Sequence, residues 1–178
     1  MSIKITYFVH GTTTDNEKGL STGWRPGELS ELGIKQAKEL GNLVKEKFDA
    51  FFCSDLKRAS TSAQLGFADK YKIILDKRLR ECNYGDFNGL AEENIDYKKY
   101  IDTPFPNGES LKNVEERIKN FLNFLKKDYN NKHIAIMAHK APQLALEVLV
   151  RGKTWEEAIK EDWRNTKSWQ PGWEYTIE

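Results

Sequence analysis

Ile3-Lys-Ile-Thr-Tyr-Phe-Val9 is rich in β-branched and aromatic side chains and stops at His10-Gly11, which predicts a first strand. A loop punctuated by Gly19, Gly23, Pro26 and Gly27 follows. With Ser30 as N-cap, apolar residues at Leu29, Leu32, Ala37, Leu40, Val44 and Phe48 recur at helical spacing and predict one buried stripe. The short apolar run Asp49–Cys53 predicts a buried strand. Ser54-Asp55 is expected to cap a helix from near Leu56 to about Gly66, and Lys72–Leu75 reads as a third strand. Residues 78–107 read as irregular, with one short helix near Ala91–Tyr100. Ser110 opens an amphipathic helix with Leu111, Val114, Ile118, Phe121, Leu122 and Leu125 on its apolar face, and Lys112, Glu115, Glu116 and Lys119 on a solvated one. His133–Ala138 predicts a buried strand, Ala141–Val150 a buried helix, and Gly172–Ile177 a closing strand.

Strands alternating with helices predict a three-layer α/β/α sandwich with a mostly parallel central sheet, spanning residues 1–178 as one domain. Sheets of this kind bind ligands beyond the carboxyl ends of their strands. Three such ends carry reactive or charged groups: His10-Gly11, Ser54-Asp55 followed by Arg58, and His139-Lys140. Composition narrows the partners. With 28 basic and 27 acidic residues the net charge is +1, which offers no basic field to recruit nucleic acid or an anionic membrane. There is no apolar run long enough for a transmembrane helix, and the first nine residues do not read as a signal peptide. Cys53 and Cys82 are too few for a disulfide framework, so a cytoplasmic location is expected.

Of three histidines, His10 and His139 leave the ends of two strands, whereas His133 begins a strand and reads as a surface residue. Two imidazoles and Glu81 suggest a metal triad only weakly, because Arg58 nearby opposes a cation. Arg58 falls in the first turn of a helix, where a cation opposes the macrodipole; it suits a bound phosphate, or pairing with Asp55. Cys53 and Arg58 are separated by four residues, one short of a Cys-x5-Arg phosphate loop, so Cys53 reads as a small apolar packing residue. Glu81, on a loop after a strand, is a candidate proton donor or a solvated carboxylate. Trp155, Trp163, Trp169 and Trp173 read as packing for the last quarter of the chain, not as a ligand platform.

In this order the residues resemble the histidine phosphatase superfamily, the phosphoglycerate-mutase-like proteins. His10-Gly-Thr-Thr-Thr-Asp-Asn16 is similar to the R-H-G-x-T-x-x-N motif without its arginine, and Ser21-Thr22-Gly23-Trp24 resembles the T-G-W turn of the mutase branch. Leu29–Gly33 with Gln36-Ala37, Ser54–Ala59, Leu79–Gly85 with Glu81, and Pro106–Ser110 resemble further family segments, and His139 matches the second histidine.

The resemblance implies a phosphatase acting on a small phosphomonoester without a metal or cofactor. His10 would become a phosphohistidine and Glu81 would be the acid. Arg58 and His139 would complete the catalytic set, and Gly11, Asn16, Thr22, Gly23, Tyr84 and Lys140 would contact substrate. It also implies phosphatase over mutase, because the sugar-phosphate mutases are longer and Arg80-Glu81-Cys82-Asn83 lacks their arginine after the acid. Val9 stands where the motif has arginine. A charged hydrogen bond of that kind is worth roughly 1.5–3 kcal/mol. Lys140, in place of a glycine, is the expected substitute, ahead of Arg25 and Arg80. Without a substitute, the alternatives are a slow phosphatase or a phosphate-binding pseudoenzyme; a phosphohistidine-protein phosphatase is a further reading.

Overall fold

The computed structural model describes residues 2–178. Five strands, β1 (Ile3–Val9), β2 (Ala50–Cys53), β3 (Ile73–Leu75), β4 (His133–Ala138) and β5 (Trp173–Ile177), form one sheet in the order β3-β2-β4-β1-β5. The first four are parallel, and β5 runs antiparallel along the edge of β1. Helices α2 (Glu31–Leu43) and α3 (Lys57–Phe67) cover one face, while α4 (Leu111–Asp128), α5 (Lys140–Arg151) and α6 (Trp155–Lys160) cover the other. Alternation along β4 divides the core: Ile134 and Ile136 pack with α4 and α5, Ala135 and Met137 with α2 and α3. The three-layer α/β/α sandwich with its mostly parallel sheet is thus the fold.

Local chemistry explains the departures from the sequence reading. Helix α2 ends at Leu43, so Val44 is extended and Phe48 joins the core from the following loop. Leu32 is exposed, because the buried face of α2 is made by Gly33, Ala37, Leu40 and Gly41. Helix α3 has no side-chain cap: Ser54 Oγ accepts from the Leu56 N–H (3.2 Å), and Asp55 is taken by Arg80 in a two-bond fork of 2.7 Å each. The expected helix near 91–100 is two 3₁₀ turns, Glu92–Asn94 and Tyr97–Tyr100, the second started by the Asp96 side chain. Two short helices complete the chain, α1 (Thr14–Glu17) and α7 (Trp163–Thr166).

The loop leaving β1 is held by backbone contact with the start of α2. The Ser30 N–H donates to the Thr12 carbonyl at 3.0 Å. A Cβ on Gly33 would fall 1.9 Å from that carbonyl oxygen, and one on Gly11 would fall 2.3 Å from the Gly33 oxygen. Both positions require glycine because two backbones touch. Gly33→Ala is therefore expected to destabilise the fold by about 1–3 kcal/mol, as overpacked cores do, measured by urea unfolding; unchanged stability would show that the loop yields freely.

Candidate active site

Four segments converge beyond the carboxyl edge of the sheet. Val9 lies opposite Ala138 in the parallel pairing of β1 with β4, so the next residues, His10 and His139, emerge side by side. Their ring centroids are 5.1 Å apart. The β2 end supplies Ser54 and, through α3, Arg58; the loop after β3 supplies Glu81. A cavity of about 430 Å³ opens here, lined by His10, Asn16, Thr22, Gly23, Arg58 and Glu81 among others.

The Gly11 carbonyl accepts a hydrogen bond from His10 Nδ1 at 2.8 Å, which places the ring proton on Nδ1 and leaves Nε2 as the free lone pair. Burial, then the positive charge of Arg58, lowers the His10 pKa to about 3. The imidazole is neutral at physiological pH. His139 is fully buried behind it, its pKa held well below normal by burial first and by Arg58 next. Its backbone is clamped by Tyr7, whose hydroxyl donates to the His139 carbonyl (2.6 Å) and accepts from its N–H (2.9 Å). Burial, reinforced by the Glu81 charge, keeps the Tyr7 phenol protonated for this task. His139 Nε2 meets Ser54 Oγ at 2.8 Å, whereas Nδ1 is a buried side-chain atom with no partner among the described residues. Ser54 Oγ also accepts from the Leu56 N–H, and its remaining proton and lone pair both face the His139 ring.

Glu81 is buried, not solvated, and acts across the cavity as the missing cap of α5. Its carboxylate accepts from the N–H groups of Lys140 (3.2 Å) and Ala141 (2.9 Å), the open first turn of a helix whose N-cap side chain, His139, makes no cap bond. The Glu81 carbonyl is fixed by Trp24 Nε1 (2.7 Å) and Arg117 Nη2 (2.9 Å). Arg58 is buried and turns Nη2 to the Gly23 carbonyl at 2.8 Å and Nη1 to that of Arg25 at 3.4 Å. Its alternative partner Asp55 belongs to Arg80.

Of the other expected site residues, Asn16, Thr22, Gly23, Tyr84 and Lys140 line the cavity. Gly11 is not on the wall of this cavity: its N–H is given to Ser62 Oγ (3.0 Å) and its carbonyl to His10, so it orients the imidazole. Asn16 lines the cavity with its Oδ1 accepting from the Thr13 N–H (3.0 Å). Thr22 donates to Asp15 (2.9 Å), and Tyr84 is a buried wall residue. Lys140 lines the cavity, but its ammonium pairs with Glu92 (2.5 Å) and sits 3.9 Å from the centre of the Tyr97 ring. Although burial pushes the Glu92 carboxyl up, Lys140 and the Tyr97 hydroxyl hold it below its ordinary value, so the pair is charged. Arg80 stacks over Trp24 while bound to Asp55, and Arg25 does not line the cavity. Neither stands in for an arginine at position 9. Cys53 is buried and its thiol is pushed up by burial, consistent with packing. Among the described residues no three His, Cys, Asp or Glu side chains gather to hold a metal.

The sequence reading missed one wall. Asp162, Trp163, Arg164 and Asn165, on α7 and its entry, all line the cavity. Trp163 was expected only to pack; it stacks on Trp173 at 5.5 Å and faces the cavity as well. Arg117 was missed too: its guanidinium ties Glu109 to the carbonyls of Arg78, Arg80 and Glu81.

Comparison with known proteins gives a consistent picture. The model of the histidine phosphatase superfamily (branch 1) matches residues 7–174. The chain is 30% identical over 164 residues to a 2,3-bisphosphoglycerate-dependent phosphoglycerate mutase of Methylorubrum populi, covering 82% of this chain and 77% of the relative. It is 29% identical over 162 residues to phosphoserine phosphatase 1 of Hydrogenobacter thermophilus, covering 84% and 77%. Among solved structures, a phosphoserine phosphatase of Entamoeba histolytica in complex with 3-phosphoglyceric acid superposes with a TM-score of 0.77 at 26% identity, covering 89% of this chain and 84% of that one. No helix among the described residues is long and apolar enough to cross a membrane.

The depressed histidines carry a pH signature. The unfolded chain takes up protons near the ordinary histidine pKa of 6.5, and the folded chain refuses them until about pH 3 at His10. The stability this gives is therefore present above pH 6.5 and is lost as pH falls. Each refused proton costs about 1.4 kcal/mol per pH unit at most. His10→Gln is expected to make stability between pH 4 and 6 less steep by up to one proton, read from urea unfolding at each pH; identical slopes would mean that His10 titrates normally in the fold.

Proposed function

The chain belongs to the histidine phosphatase superfamily (branch 1), and on that premise we propose that it is a phosphatase that hydrolyses a small phosphomonoester through a phosphohistidine on His10, without a metal. One observation carries this reading. A neutral imidazole has Nδ1 committed to the Gly11 carbonyl and Nε2 free at the wall of a cavity that also holds Arg58 and Glu81.

In the first half-reaction the Nε2 lone pair attacks phosphorus in line, the N–P bond forms, and the P–O bond to the leaving group breaks. Glu81, entering this step in its acid form, gives its proton to the departing oxygen and is left as the carboxylate that accepts from the Lys140 and Ala141 N–H groups. In the second half-reaction Glu81 takes a proton from water, the oxygen attacks phosphorus, the N–P bond breaks, and phosphate leaves with His10 neutral again. Arg58 and the Asn16 amide, both on the cavity wall, meet the phosphoryl oxygens as their charge redistributes, and His139 packs behind His10. Support for hydrolysis over mutase chemistry comes from Cys82, which takes the place of the arginine that follows the acid in mutases. Relatives named for phosphoserine and phosphoglycerate point to small acidic phosphomonoesters as the substrate class.

Val9 favours a second reading, phosphate binding without turnover, because it removes one charged donor. Losing such a donor costs about a hundred- to a thousandfold in rate. Turnover of p-nitrophenyl phosphate decides. His10→Ala is expected to abolish it, and Glu81→Gln to lower kcat about a hundred- to ten-thousandfold. Equal rates in the wild type and His10→Ala would remove His10 from the mechanism; calorimetric phosphate binding with no turnover would select the second reading.

A further inference from the structure

The cavity has three cationic side chains on its wall: Arg58, Lys140 and Arg164. Arg58 spends one N–H of each terminal nitrogen on a loop carbonyl and keeps the others for an anion, and Lys140 has committed its ammonium to Glu92 and the Tyr97 ring. Arg164 differs. It spends Nη1 on Asp162 (2.8 Å), while Nε and Nη2 donate to no group among the described residues.

The guanidinium is also well anchored. Asp162 is buried and its Oδ1 accepts from both the backbone N–H (3.1 Å) and Nη1 of Arg164. The guanidinium carbon lies 4.4 Å from the centre of the Trp163 ring. That ring stacks on Trp173 of β5 and donates from Nε1 to Gln143 of α5 at 3.2 Å. The segment is thereby tied to the sheet and to the helix that begins at His139. Val9, His10 and Trp163 together line both this cavity and a neighbouring, mainly apolar one of about 480 Å³.

We propose that Arg164, delivered by α7, is the arginine that grips the phosphoryl group in place of the one missing at position 9. The inference rests on the cavity being a phosphomonoester site. A guanidinium held by a buried carboxylate on one side and an aromatic ring on another has little rotamer freedom to lose, and it offers two N–H directions to an anion. Its charge already reaches the reacting group. After burial and Arg58, Arg164 is a further cause of the lowered His10 and His139 pKa values. Arg164 and Val9 also fit each other, since an arginine at position 9 would add a further guanidinium beside the same imidazole.

The test uses the full chain and three readouts: kcat/KM for p-nitrophenyl phosphate, inhibition by inorganic phosphate, and calorimetric titration with phosphate. Arg164→Gln keeps an amide donor for Asp162 and removes the charge; Arg164→Ala removes both. Arg151→Ala, which deletes a cation from the far end of α5 outside the cavity, serves as control. Arg164→Gln and Arg164→Ala are expected to weaken phosphate binding on the order of ten- to a hundredfold, with kcat/KM falling at least as far. Arg164→Lys should recover part of both, and Arg151→Ala should match the wild type. If Arg164→Ala fails to fold, as judged by circular dichroism, Arg164→Gln decides alone. Wild-type phosphate affinity and kcat/KM in Arg164→Gln would overturn the assignment while leaving the phosphatase reading intact. A wild type that neither binds phosphate nor turns over substrate would overturn that reading itself, and the assignment with it.

Discussion

The site depends on a single ladder. Val9 pairs with Ala138 across the parallel β1–β4 junction, and this register brings two imidazoles, from strands far apart in the chain, to the same height beyond the sheet. A shift of one residue would send the neighbouring side chains to opposite faces and separate the rings. The Tyr7 hydroxyl, bonded to both backbone groups of His139, pins the register from within β1. Buried phenylalanines and isoleucines on the two faces make any other alignment costly.

Around this pair the protein sets neutral bases among fixed cations. Both histidines are desolvated beside the buried Arg58, so each is held in its uncharged form. Helix α5 begins immediately after His139, and its open N–H groups draw in the Glu81 carboxylate. Glu81 and His139 therefore share one helix start. Backbone amides place the carboxylate, and Arg117 and Trp24 steady its main chain from behind, so little of the arrangement depends on flexible side chains.

Continuous apolar runs made the strands easy to read, and a strand ending in His10 or His139 already marked the edge where chemistry gathers. Arg58 was legible for a similar reason: a cation at a helix start has no local benefit. Other parts left no local signal. Helix α7 has four residues, too few for any periodicity, so nothing in Asp162-Trp-Arg-Asn165 announced that it lines the cavity. The engagement of Lys140 by Glu92 joins residues 48 positions apart, and that of Asp55 by Arg80 joins residues 25 apart; both depend on how the loops fold over the sheet. Leu32 fits a helical stripe on paper, yet α2 approaches α3 through glycine: a Cβ on Gly41 would lie 2.0 Å from the Gly66 oxygen, which rotates the helix and leaves Leu32 outside.

The position of β1 also has a consequence for synthesis. It is an inner strand whose two neighbours, β4 and β5, both come from the last third of the sequence; Thr6 and His133, bonded across this junction, are 127 positions apart. A ribosome therefore releases the first strand long before anything can pair with it. The oily segment Ile3–Val9 must wait, exposed, while most of the polypeptide is translated, and its assembly is governed by long-range loop closure. Late pairing of the first strand is thus written into the strand order itself.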